Sequence, residues 1–170
     1  MIVNHLRIAL LAAWLAVAIY FSAVVAPSAF GALRSFNLPN AGEIAGTIVT
    51  RTLYLVNLSG LLVSLFLLVT AYAAKKYHGR ASFILLNALL VIVAVSTAAG
   101  EWVIAARMRG LRAAMHGQID QVPLNDPNRI AFAALHGYSV AALSVAMLAA
   151  LVVLVLMILS RPQSVSSITK

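Results

Sequence analysis

The sequence predicts an all-α fold, an integral membrane four-helix bundle of up-down-up-down topology, and three observations carry that prediction. Hydrophobic residues make up 63% of the 170 and charged residues only 9%, with a mean hydropathy of +1.00, a composition whose surface must largely face lipid. The apolar residues gather into four runs, each long enough to cross a hydrocarbon core about 30 Å thick. Short polar connections separate the runs, so consecutive helices are antiparallel neighbours. The expected bundle is one domain over residues 1–162, with helices at about 8–33, 41–76, 82–112 and 127–160 and a short polar tail at 163–170.

Helix 1 takes the run from Ile8 to Leu33. Arg7 before it and small residues at Ser22 to Ala26 imitate a secretory signal, but the run exceeds a typical signal core and reads as an uncleaved first span. Pro27 predicts a kink near its far end, because proline removes one backbone bond. Asn40 with Glu43 three residues on reads as a capping-box variant that starts helix 2. Glu43, Thr47 and Arg51 then share one face, and the apolar span proper begins near Leu53 and runs to Ala74. Lys75 to Arg80 is a basic turn, with Gly79 expected to close helix 2 and Ser82 able to cap helix 3. Helix 3 is apolar from Phe83 to about Ala106, interrupted by Asn87 and Glu101, and continues through Arg107, Arg109 and Arg112. Asp126-Pro127 is a strong start signal for helix 4, which Arg161-Pro162 ends.

The net charge of +8, from 12 Lys and Arg against 4 Asp and Glu, would raise nucleic acid as a partner in a soluble protein. Here the basic residues flank apolar spans, where they set topology and meet lipid headgroups, so the partner is the bilayer and no nucleic acid is expected. Zero cysteines exclude disulfides and thiolate chemistry. Arg7, Lys75, Lys76, Arg80, Arg161 and Lys170 share one membrane side, here side A. Arg34, Arg51, Arg107, Arg109, Arg112 and Arg129 share side B. Acids outside the spans lie on side B, which tips the orientation towards both termini cytoplasmic in a bacterial inner membrane. Small residues at Gly60 and Ser64, at Ser96 and Gly100, and at Ala133, Gly137, Ala141 and Ala149 allow close backbone approach, within the bundle or against another membrane subunit.

Polar chemistry converges at one level on side B. His136 lies about 10 Å into helix 4 from Arg129, Glu101 is near the side-B end of helix 3, and Arg51 is at the mouth of helix 2. Thr47, Thr50, Asn57, Tyr138 and Ser139 are at compatible heights. Charges at membrane depth need partners, and Glu101 is expected to pair with Arg51 or Arg107. Two readings stand: the pair pins helix 3 to helix 2 while His136 bonds a backbone carbonyl, or the residues line a polar vestibule that binds a cation, a metal ion or an amphipathic solute, with His136 as ligand or proton acceptor and Glu101 as a further metal ligand. No cofactor is assigned beyond that candidate metal. His5 lies at the other membrane face and cannot join His136, His78 and His116 belong to loops, and the methionines Met108, Met115, Met147 and Met157 are scattered packing residues. A paired-carboxylate site, H-E-x-x-H, G-x-S-x-G and a P-loop are all missing, so no enzymatic activity is expected.

Four stretches carry a family resemblance: Trp14 to Phe30, Ala41-Gly-Glu-Ile-Ala-Gly46 with Arg51, Asn87, and Phe132-Ala-Ala-Leu-His-Gly-Tyr-Ser139. Together they resemble a family of four-helix membrane proteins of unknown function that includes an animal transmembrane protein associated with cisplatin resistance. Bacterial copper-resistance membrane proteins are a weaker likeness. The chain departs from the family pattern at Leu15-Ala-Val17, in lacking a proline in helix 3, and at Leu143. The resemblance implies the fold and a loose link to solute or metal resistance, and no catalytic residues. The expected function is thus non-enzymatic transport, export or tolerance of a small solute or metal ion. The alternatives are an accessory subunit of a larger membrane complex and a membrane haem or redox protein.

Overall fold

The computed structural model describes residues 2–74, 79–115 and 117–159. Among the described residues there are no strands. Four helices, α1 (Ile2–Ser35), α2 (Ala41–Val69), α3 (Arg80–Ala114) and α4 (Pro127–Leu159), are each long and apolar enough to cross a membrane. The chain is a multi-pass membrane protein. Each helix packs against its sequence neighbours, and α1 closes the ring against α4.

The inward seams follow one rule. Buried positions are Arg7, Leu11, Trp14, Ala18 and Phe21 on α1, and Ser139, Leu143, Ala146, Ala150, Val153 and Met157 on α4. Spacings of four and three alternate, the repeat that keeps a seam facing its neighbours in near-antiparallel bundles. Leu86, Leu90, Val93 and Thr97 repeat it on α3, as do Asn57, Gly60, Ser64 and Leu67 on α2. Equally apolar residues such as Leu62, Val95 and Leu148 face outwards, since lipid leaves shape rather than hydrophobicity to choose the inner face.

Glycines set the closest approaches. The Trp14 indole lies on Gly60, where an added Cβ would stand 2.7 Å from the ring, and its Nε1 donates to the Val56 carbonyl at 3.0 Å. One turn away, the side chain of Asn57 lies 3.3 Å from the Cβ position of Gly100 on α3. Helix α2 is therefore keyed on one side by an indole and on the other by its own carboxamide.

Two interruptions of helical hydrogen bonding widen a helix rather than break it. Phe21–Val25 forms π turns just before Pro27, and the Ala26 amide donates back to Phe21, so the proline falls in the first turn of the segment that follows, where its missing N–H costs least. Ala99–Ala105 of α3 is also π-helical. Across it the buried seam advances by one residue, from Thr97 and Gly100 to Glu101 and Ala105.

Several terminal features differ from the sequence expectation. Helix α1 begins at Ile2, and Arg7 is buried inside the bundle rather than lying in a loop. Its Nη1 donates to the Leu67 carbonyl at 2.5 Å and to Thr70 Oγ1 at 2.6 Å, at the C-terminal end of α2, where a cation meets the negative end of the helix dipole. Asn40 makes no side-chain cap. The Gly42 amide instead donates to Asp120 Oδ2 at 3.1 Å, so the start of α2 is capped from the loop before α4. Glu43 turns away to Arg112, because a charge-assisted bidentate pair outcompetes a bond to one backbone amide. Gly79 is extended and precedes α3 instead of closing α2, and Ser82 lies within α3. Helix α4 starts as the sequence indicates, with Asp126 Oδ1 accepting from the amides of Asn128 and Arg129 at 2.8 and 3.1 Å. The turn residues Lys75 to His78, the loop residue His116 and the tail 163–170 lie outside the described residues.

The indole contact yields a stability test. Gly60→Ala must push a fully packed tryptophan aside, a cost of about 1–3 kcal/mol for overpacking, whereas nothing lies within 4 Å of a Cβ at Gly110. Thermal melts in a lipid-like detergent should show a clear loss for Gly60→Ala and none for Gly110→Ala.

Candidate functional site

Glu101 is the one acid inside an apolar span, and it is buried. Leaving such a carboxylate unpaired costs several kcal/mol. The partner is Arg109, whose Nη1 donates to Glu101 Oε1 at 3.0 Å. Neither Arg51 nor Arg107 pairs with it, contrary to the sequence expectation. On a regular α-helix, residue i+8 stands about 80° round from residue i. The π turns insert an additional residue, so that Arg109 takes the place i+7 would otherwise hold, over Glu101.

Arg51 nevertheless reaches the same place. Thr50, Arg51, Tyr54 and Leu55 of α2 and Glu101 and Arg109 of α3 line a groove of about 390 Å³. Thr50, Arg51, Tyr54 and Leu55 are all exposed, so the groove opens sideways between two helices and does not run down the bundle axis. Two arginines and one glutamate are among its lining residues. Arg51, Thr50 and Tyr54 make no hydrogen bond or ion pair among the described residues, so their donors are available to a ligand.

The other candidates are distributed elsewhere. Asn57 and Ser139 are buried in the inner seams of α2 and α4. Thr47 is exposed, and its hydroxyl donates to the Glu43 carbonyl at 2.9 Å. His136 and Tyr138 are exposed on α4, and neither lines the groove. The structure therefore does not bring His136 to Glu101 as a ligand pair, and among the described residues no three His, Asp or Glu groups converge as a metal would need.

A second polar device sits beside the groove. Arg112 holds Glu43 in a bidentate pair, with Nε to Oε1 at 3.1 Å and Nη2 on Oε2. Its Nη1 also donates to the Gly117 carbonyl at 2.9 Å, and the Ile119 amide approaches Glu43 Oε2 at 3.5 Å. With Asp120 on Gly42, these bonds strap the loop before α4 to the first turn of α2. Sequence reasoning missed Arg109, Tyr54, Leu55 and this strap. Only the spacing of Tyr54 and Leu55, three and four residues after Arg51, marked any of them as sharing a face. Replacing Arg112 by Lys keeps the charge but loses the fork. Amide hydrogen exchange at residues 117–122 should then quicken by about fivefold, the equivalent of one net hydrogen bond, while exchange in the middle of α4 stays unchanged.

No curated protein and no solved structure matches the chain. The family match ends before α4, so the stretch Phe132 to Ser139 lies outside it, and it brings in neither the cisplatin-associated relative nor the copper-resistance proteins. Residues 9–117, which hold α1 from Ala9 onwards, all of α2 and α3 and every residue of the groove, match the family described as Domain of unknown function (DUF4149), and the chain belongs to that family.

Proposed function

We propose that the protein is a non-enzymatic membrane protein that holds an amphipathic solute in the lateral groove between α2 and α3, in the transport, export or tolerance of that solute. The observation that carries this reading is the groove itself. Charged residues of α2 and α3 line it beside Leu55, and it opens between helices rather than towards the bundle core. Its volume is within the range of small-molecule sites. A carboxylate already held by Arg109 and a histidine on the outer face of α4 favour an organic solute over a metal ion. Leu55→Trp fills the groove from an exposed position. Mass spectrometry of the purified protein should find an amphipathic molecule retained by the wild type and lost from Leu55→Trp, with equal thermal stability. An identical complement in both would sink the reading.

One observation favours an accessory-subunit role as a second reading. The small residues Ala133, Gly137 and Ala141 of α4 face outwards, while a different set forms its inner seam. Such a stripe suits close packing against another membrane helix. Nothing lies within 4 Å of a Cβ at Gly137, so Gly137→Leu should leave the fold intact. It should also release any membrane subunit that co-purifies with the wild type; retention of that subunit would count against this role.

A further inference from the structure

We infer that the groove between α2 and α3 is a site for the phosphodiester headgroup of an anionic membrane phospholipid, an assignment that rests on the amphiphile-binding reading of the same groove. Charge selects the headgroup. Arg51 and Arg109 against Glu101 leave one positive charge in the lining, which a monoanionic phosphodiester neutralises and a zwitterionic headgroup does not. Hydrogen-bond capacity agrees with charge. The Arg51 guanidinium and the hydroxyls of Thr50 and Tyr54 have no partners among the described residues, and more than half of the Arg109 side chain is exposed while it holds Glu101. Arginine presents its donors as a planar fork that matches two phosphate oxygens.

Position selects a lipid over a soluble phosphate. The groove lies where the apolar span of α2 begins, at Leu53, and its lining residue Arg109 is one of the first basic residues beyond the apolar part of α3. Exposed Tyr54 lines it and exposed Trp102 follows Glu101 along α3, and aromatic side chains of this kind gather at headgroup level. From the lining residue Leu55 the same side of α2 continues, two turns deeper, to exposed Leu62, an apolar track for an acyl chain. Glu101 has a defined part in this site. It keeps Arg109 ordered and removes one positive charge, so that the lining takes a singly charged headgroup in preference to a phosphomonoester.

The test uses the full-length protein in detergent, with bound lipid counted by native mass spectrometry. Phosphatidylglycerol, phosphatidylcholine, diacylglycerol and inorganic phosphate are the four probes. Phosphatidylglycerol should bind about tenfold more tightly than phosphatidylcholine, as expected for one added charge-assisted contact, and diacylglycerol should not compete. Arg51→Ala should remove that preference, while Arg34→Ala, at an exposed arginine outside the groove, should not. Arg109→Gln alone strands the buried carboxylate, so it is made together with Glu101→Gln, and this pair should also weaken binding. Equal affinity for the two phospholipids, with Arg51→Ala silent and Leu55→Trp still displacing lipid, overturns the headgroup assignment and leaves the groove as an amphiphile site. Failure of Leu55→Trp to displace any lipid overturns both. Displacement by inorganic phosphate overturns the lipid as the source.

Discussion

The contact of the Trp14 indole with Gly60 is the constraint on which the rest of the bundle depends. In a bilayer, lipid tails compete on equal terms with leucine, so apolar surface alone does not tell a helix which face to bury. A flat ring on a bare backbone, fixed by a hydrogen bond to Val56, has one geometry and no lipid substitute. It sets the rotation of α2 about its axis. That rotation puts Asn57 against Gly100 and turns Thr50, Arg51, Tyr54 and Leu55 to the flank where α3 supplies Glu101 and Arg109.

Charge is handled differently at the two ends of the molecule. Every acidic residue lies towards one membrane side, where Glu43, Glu101, Asp120 and Asp126 hold an arginine or a backbone amide. Arg7, at the other end, is buried with no carboxylate paired to it among the described residues. It is stabilised by carbonyl and hydroxyl oxygens at the close of α2, where the helix dipole supplies part of the missing negative charge. A buried cation therefore joins α1 to α2 at one end, and the indole joins them nearer the middle.

The number and antiparallel order of the helices were legible in the sequence, because hydropathy and turn residues report them directly. Asp126-Pro127 announced its cap. Inner and outer faces were not legible, because the helices are apolar all round; Ala133, Gly137 and Ala141 read as packing residues and face outwards. Of the polar residues read at one level, Arg51 and Glu101 line one groove. The composition of that groove was not legible. Side chains at one height point in different directions, which removed His136, Asn57 and Ser139, and no residue pattern announces the π turns that carry Arg109 to Glu101. Long-range caps such as Asp120 on Gly42 are invisible to rules that examine neighbouring residues alone.

The π turns of α3 have a bearing on how this protein enters a membrane. Inserted alone, a helix with an ionised glutamate and an arginine bears the cost of each charge, about 2.5–3.5 kcal/mol at the bilayer centre. The bond from Arg109 to Glu101 lies wholly within α3, so no other helix has to be present for the two to neutralise each other. Helix α3 carries its own counterion through biogenesis, and the wider turn that makes this possible is a local property of one span.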